Sequence, residues 1–261
     1  MEKVPVDFDK NGVPSELLWL FDGANVYDSS CSPMAKVFFV DKGQGFFVKT
    51  SAKGTLHREA EMTNFFYKKG LCAEVVGYFS EESDWFVTKK VVGDDCITQK
   101  YLDNPEKLCD SLAEIMHILH GTNLNDCPCG DVMQALMMIA EQNHTNGTLR
   151  RKEIPQKRGF ATADDAWKCF CDGKELLKSD VLVHGDFCLP NVMLDDWKFS
   201  AFVDVGEGGR GSKYLDFFWV TWSLNYNLRT NAFADRFFDA YGREKVDFEA
   251  FRVMKALDVF L

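Results

Sequence analysis

The chain has 261 residues, of which 46% are apolar and 14% aromatic, so it can bury a substantial core and is not a candidate for disorder. Its formal net charge of -10 disfavours a nucleic-acid partner, because a phosphate backbone demands a basic surface, and favours cations instead. No apolar run approaches the length of a membrane span, and the start MEKVPVDFDKNG lacks the basic and apolar regions of a signal peptide, so a cytoplasmic protein with no membrane association is expected.

In chain order, Asp7, Asp9, Asn11 and Gly12 copy the opening of a calcium loop, but Leu18 stands where a bidentate Glu belongs and Pro14 interrupts the loop. A solvated turn is expected there. Ala35 to Val40 and Gly45 to Lys49 are Val- and Phe-rich runs around Asp-Lys-Gly-Gln, the pattern of a β-hairpin. A helix is predicted over Leu56 to Lys69, and two further strands over Val75 to Phe79 and Trp85 to Val91. Beyond Val92 the pattern turns helical: Leu108, Leu112, Ile115, Met116 and Leu119 recur at helical spacing behind Pro105. Further helices are predicted over Asp131 to Gln142, Ala163 to Lys178, Tyr214 to Tyr226, Ala232 to Tyr241 and Asp247 to Phe260. A strand-rich insert lies among them, with runs at Val181 to Val183, Val192 to Leu194 and Phe199 to Val203. The expected fold class is therefore α+β, with a β-rich lobe over 1–92 and a mainly helical lobe over 93–261. The nine cysteines read as reduced thiols, and Cys127-Pro-Cys129 and Cys169-Phe-Cys171 are spaced too tightly for ordinary zinc pairs.

The chemistry is expected in the insert. His184-Gly185-Asp186 is followed by Asn191, and Asp204 then ends an apolar strand in Val-Asp-Val-Gly. This is the catalytic-loop spacing of kinases followed by a counterpart of their metal-binding aspartate. Asp186 could accept the proton of a substrate hydroxyl, while Asn191 and Asp204 could offer oxygens to a magnesium ion that bridges ATP phosphates. An independent requirement is a strand lysine with a glutamate on the next helix, and Lys49 and Glu59 meet it.

With these residues in hand, the chain resembles the aminoglycoside 3'-phosphotransferase family, bacterial resistance enzymes with a two-lobed protein-kinase-like fold. The resemblance rests on Ser32-Pro33-Met34-Ala35-Lys36-Val37, Lys49 with Arg58-Glu59, HGDFCLPN from His184 to Asn191, Phe202 to Gly206, Lys213-Tyr214-Leu215-Asp216 and the ending Leu257-Asp258. It implies Asp186 as base, Asn191 and Asp204 as magnesium ligands, and Ser32 over the phosphates. It also implies Phe47 stacked on adenine, backbone around Lys89 to Val91 bonded to the base, and Asp216 bracing the catalytic loop. ATP is the expected phosphoryl donor, with GTP not separated from it, and no protein partner is implied.

The acceptor half departs from the family pattern. Polycationic acceptors call for carboxylates, yet the loop Gly147 to Phe160 carries Arg150, Arg151, Lys152, Lys157 and Arg158 against Glu153. Tyr226 and Asn227 stand where a carboxylate is expected, while Glu207, Asp258 and the end of the chain at Leu261 remain to meet an acceptor. An aminoglycoside is therefore expected as the acceptor, with another hydroxylated small molecule, or a non-catalytic nucleotide-binding relative, as the alternatives. Trp219, Trp222 and Tyr226 share one helical face, which reads as buried packing rather than as a platform for a sugar ring.

Overall fold

The computed structural model describes residues 4–30, 35–149 and 152–261, so the expectations for Ser32, Arg150 and Arg151 lie outside the described residues. The chain divides into two compact units, Met1–Gly93 with Ser200–Gly206, and Asp94–Phe199 with Glu207–Leu261.

In the first unit, Val4–Pro5 (β1), Asn25–Asp28 (β2), Lys36–Asp41 (β3), Phe46–Ala52 (β4), Val75–Ser80 (β5) and Ser83–Lys89 (β6) form one antiparallel sheet. Its order is β1-β2-β3-β4-β6-β5. The expected hairpin is β3–β4, and the two further expected strands are β5 and β6, which with them make up the last four strands of that order. The short strands β1 and β2 and the helical turn Leu18–Phe21 (α1) extend it beyond what the sequence pattern announces. The predicted turn also forms, with Asn11 N donating to Asp9 Oδ1 at 3.0 Å.

The two faces of the sheet bury different partners, as a period of two requires. Trp85 and Val87 of β6 and Val48 of β4 join Leu17, Leu20, Phe21, Val26 and Val40 in one cluster. Phe86 points the other way and packs with Leu56 and Ala60 at the start of the helix His57–Lys68 (α2). Asp84, fully buried, ties this helix to the sheet: its carboxylate accepts from Gly54 N at 2.9 Å, Leu56 N at 2.8 Å and Ser80 Oγ at 2.7 Å.

The second unit contains Asp94–Asp95 (β7), Gln99–Leu102 (α3), Pro105–His120 (α4), Val132–Thr145 (α5), Ile154–Lys157 (α6), Ala163–Gly173 (α7), Val181–Val183 (β8) and Val192–Asp195 (β9). Lys198–Phe202 (β10) leads into the segment that belongs to the first unit. Gly209–Gly211 (β11), Lys213–Leu228 (α8), Ala232–Tyr241 (α9) and Phe248–Asp258 (α10) complete it. The α4 stripe predicted from spacing is buried throughout, from Leu108 to Leu119. The helix predicted over Ala163 to Lys178 ends at Gly173, after which a tighter turn over Lys174–Leu176 takes over. Among the described residues no helix is long and apolar enough to cross a membrane.

Burial by itself would raise the Asp84 pKa, but the Gly54 and Leu56 amides and the Ser80 and Tyr78 hydroxyls outweigh it and hold the carboxyl below its ordinary value. A depressed carboxyl stabilises the fold above its unfolded pKa and loses that contribution as pH falls through the folded value. Asp84→Ala is therefore expected to cost about 3 kcal/mol in denaturant unfolding at neutral pH. The loss should begin to shrink below about pH 4, where the carboxyl protonates in the unfolded chain, and vanish once pH falls through the lower value of the folded one.

Candidate active site

Register places the first cluster of polar groups. Phe46 and Val48 of β4 pack on the cluster under Leu20 and Phe21, so Phe47 and Lys49 point to the opposite face. Lys49 pairs across the sheet with Phe86, which sends its side chain toward α2. There Lys49 Nζ donates to Glu59 Oε2 at 2.7 Å and to Asp204 Oδ1 at 3.1 Å. Burial would depress the ammonium, but the two carboxylates more than offset it and hold the Lys49 pKa above the ordinary lysine value. The group therefore stays cationic through the neutral range.

Asp204 reaches this lysine because its segment is fastened to the first unit. Phe202 N donates to Leu71 O at 2.7 Å, Cys72 Sγ contacts Phe202 O at 3.2 Å, and Arg58 Nε donates to Gly206 O at 2.7 Å. Asp204 itself adopts φ 58°, the left-handed region that a non-glycine residue enters at a cost, and its side chain is 57% exposed. At the end of β6, Lys89 N donates to Glu74 O and Lys90 N to Gly45 O, each at 2.9 Å, while Val91 is half-buried.

In the second unit, the loop from His184 to Asn191 follows β8 and closes on itself. Asn191 Nδ2 donates to both Asp186 O and Asp186 Oδ2 at 3.0 Å, and Asp186 N donates to His184 Nδ1 at 3.3 Å. Gly185 has φ 84°, and a Cβ there would lie 2.2 Å from Glu207 O, so only glycine fits. The loop is held from beneath by Asp216 of α8, fully buried, whose Oδ2 accepts from His184 N at 3.0 Å and whose Oδ1 accepts from Gly185 N at 3.1 Å. His120 Nε2 lies 3.1 Å from the same Asp216 Oδ2, and Leu189 N donates to Ser223 Oγ at 2.9 Å. Sequence reasoning missed His120 and Ser223. The available signal was a histidine at the end of the apolar face through Ala113 and Met116.

The residues expected on the acceptor side are more scattered. Glu207 is exposed just after the boundary between the units. The stripe expected to be core is not: Trp222 is 38% and Tyr226 69% exposed, stacked on each other at 5.2 Å, with Trp219 edge-on to Trp222 at 5.9 Å. The buried face of α8 is the one through Phe217, Val220, Thr221 and Leu224, which turns the aromatic stripe outward. Asp258 forms an ion pair with Arg158 in which both side chains are largely buried, and the Arg158 guanidinium lies 4.8 Å from the Phe218 ring centroid. At the end of the chain, Leu261 N contacts Asp258 O at 3.3 Å and Asn143 Nδ2 donates to Phe260 O at 2.8 Å. The basic loop thus contains the short helix α6, with Ile154 and Pro155 buried.

Among the described residues no group of three or more His, Cys, Asp or Glu side chains could hold a metal ion. The expected magnesium ligands lie in different units, Asp204 in the first and Asn191 in the second, and each carries an oxygen of the kind hard cations take. Cys127 Sγ contacts Cys129 O at 3.7 Å. Removing the Asp216 carboxylate should leave buried donors without an acceptor, so Asp216→Ala is expected to cost about 3–5 kcal/mol of unfolding free energy. Faster amide exchange at His184 and Gly185 would locate the damage; unchanged exchange there would refute the bracing role.

The model of a phosphotransferase enzyme family matches residues 35–257. A probable aminoglycoside 3'-phosphotransferase of Lactococcus lactis subsp. lactis (strain IL1403) is 40% identical over 240 residues, spanning 91% of this chain and 90% of that protein. Among solved structures, an aminoglycoside-3'-phosphotransferase of type VIII superposes with a TM-score of 0.71 at 22% identity, covering 92% of this chain and 94% of its own. An aminoglycoside phosphotransferase from Streptomyces rimosus, solved with ADP and streptomycin, superposes with a TM-score of 0.66 at 18% identity, covering 86% and 90%. The fold is accordingly protein-kinase-like, and the chain belongs to the phosphotransferase enzyme family.

Proposed function

We propose that the protein transfers the γ-phosphoryl group of ATP to a hydroxyl of an aminoglycoside, a reaction whose consequence is antibiotic resistance. The observation that carries the reading is the placement of Lys49 between Glu59 and Asp204, a lysine held cationic beside an exposed carboxylate. The 40% identical Lactococcus relative, named a probable aminoglycoside 3'-phosphotransferase, supports the acceptor class.

Asp186 is the base. Its carboxylate, held by the Asn191 amide, accepts the proton as the acceptor hydroxyl attacks. Lys49 pairs with the donor phosphates and Glu59 keeps its ammonium in place. Asn191 and Asp204 would hold magnesium, which when bound neutralises charge on the phosphates. The fit is chemical: the Asn191 amide nitrogen is engaged by Asp186, which leaves its oxygen as the donor for a hard cation. Phe47 shares the Lys49 face of β4 two residues away, so a base stacked on its ring would have its phosphates directed toward the lysine. With the Lys89 amide bonded to Glu74 O, the Val91 amide is the better candidate for the base edge. On the acceptor side, Tyr226 with Trp222 offers an exposed face for a sugar ring or an ammonium, and Glu207 an exposed carboxylate. The protein would act in the cytoplasm, where ATP is available and thiols such as Cys96, Cys109 and Cys188 stay reduced.

An ATP-coupled screen of kanamycin-type and neomycin-type compounds beside neutral sugars, amino alcohols and macrolides tests the acceptor. Turnover confined to the non-aminoglycosides would overturn it. Asp186→Asn is expected to lower kcat by about 10²–10⁴-fold while the ATP KM changes little, since a base acts on the reacting hydroxyl and not on nucleotide binding. Near-wild-type turnover would remove Asp186 from that role. Lys49→Met is expected to lower kcat/KM for ATP by roughly a hundredfold. An unaltered kcat/KM would mean that the lysine serves only the fold.

A further inference from the structure

Helix α8 holds the loop from His184 to Asn191 at two places, and a serine makes the second contact. Asp216 secures the start of the loop, and Ser223, about two turns further along, lies on the same helical face. Its hydroxyl oxygen accepts from Leu189 N at 2.9 Å. A hydroxyl inside a helix ordinarily returns to a carbonyl of the preceding turn, as Thr221 Oγ1 does to Phe217 O at 2.7 Å. Ser223, only 1% exposed, is turned to the loop instead. Asn227, one turn on, directs it: Asn227 Nδ2 donates to Ser223 O at 2.8 Å and to Ser223 Oγ at 3.2 Å. Leu189 N and the Asn227 amide fill the lone pairs of the hydroxyl oxygen, which leaves its proton to face the Cys188 sulfur. Burial, followed by the Asp186 carboxylate, holds the Cys188 thiol above its ordinary pKa, so it stays protonated and donates to that carboxylate.

Leu189 is where this contact becomes a constraint on the site. Its amide is held by Ser223, its carbonyl accepts from Cys96 N at 3.2 Å, and its side chain is fully buried. Pro190 follows with a fixed φ, and Asn191 closes the short turn, its N donating to Cys188 O at 2.9 Å. A shift of Leu189 is therefore passed on to Asn191. Asn191 Nδ2 in turn holds Asp186 at O and Oδ2, both at 3.0 Å. Asn227 stands where a carboxylate is expected, and the difference matters here, because an ionised carboxylate has no proton to give Ser223. We propose that Ser223, oriented by Asn227, is a positioning residue for phosphoryl transfer: it fixes Leu189, and through Leu189 the placement of Asn191 and of the Asp186 carboxylate. The inference rests on the reading of Asp186 as the base of a kinase, and it assigns Asn227 to the loop rather than to an acceptor.

The test compares kinetics and amide exchange in single variants of the full chain. With a kanamycin-type acceptor, or the hydroxyl compound that the screen above identifies, Ser223→Ala is expected to lower kcat roughly tenfold while the ATP KM stays within about twofold. That split marks a misplaced base rather than lost nucleotide binding. In the same variant, without ATP or acceptor, exchange should quicken at Leu189 and Asn191 and stay unchanged at His184 and Gly185, which Asp216 secures. Ser223→Thr keeps the hydroxyl, adds a methyl, and should retain kcat within about threefold. Asn227→Ala leaves the hydroxyl without its guide and should show the same split with a smaller fall in kcat, about threefold. Position 227 is half-buried, so that variant decides the matter if Ser223→Ala does not fold. An unchanged kcat in folded Ser223→Ala, or failing that in Asn227→Ala, overturns the proposal. So does an ATP KM that rises as far as kcat falls, a Ser223→Thr as slow as Ser223→Ala, or exchange that quickens equally at His184. The reaction itself is judged on the wild type. A wild type that phosphorylates no hydroxyl compound sinks the kinase reading and the positioning role with it, whereas an active wild type with unaffected variants sinks the role of Ser223 alone.

Discussion

A single buried carboxylate holds the loop from His184 to Asn191 in place in the second unit. Asp216 has no contact with solvent, and it receives the backbone amides of His184 and Gly185 together with the His120 ring. The turn of this loop leaves the backbone donors of His184 and Gly185 buried, and such donors are costly when buried without an acceptor. Placing the acceptor on a long helix fixes the loop to the most rigid element nearby. The Leu189–Ser223 bond, two turns further along that helix, adds a second point of attachment. The glycine at position 185 is the local price of this arrangement, because the Glu207 carbonyl occupies the space of a side chain.

The first unit solves a different electrostatic problem. Lys49 has to remain charged where burial works against charge, and it does so because Glu59 on a helix and Asp204 on an incoming segment both face it. The order of dependence runs from Asp84, which secures the start of α2, to Glu59 one turn later, to the lysine. Asp204 is brought in by backbone pairing at Leu71 and Cys72 and by Arg58, and it accepts a left-handed backbone to arrive there. Strain of this kind persists where the surrounding contacts over-determine the position, as those three do.

The stretches that the proposed function assigns to the acceptor are where this chain follows its own course. Trp222 and Tyr226 form an exposed stacked pair there, and the Asp258 carboxylate is paired with Arg158. Stacking on an aromatic face discriminates weakly between a sugar ring and an ammonium, and a carboxylate already paired within the protein attracts added positive charge less than an unpaired one.

What the amino-acid sequence determined by itself are the features carried by short spacings. The hairpin β3–β4, the α4 stripe and the interval between Asp186 and Asn191 are set by neighbours along the chain, through the pleat, the helical turn and a loop of given length. The pairing of Lys49 with Glu59 was legible for the same reason, since strand and helix follow one another. Tertiary structure alone decided the rest. Helix α8 is apolar on more than one face, so spacing could not say whether Phe217 or Trp222 would be buried; packing against neighbouring helices did. Strands β1 and β2 are too short to carry a pattern, and are stabilised by the sheet they join. The ion pair of Arg158 with Asp258 links residues a hundred positions apart. A charge read from the chain shows what a residue brings, but burial and the partner that reaches it determine whether that charge remains available to a ligand.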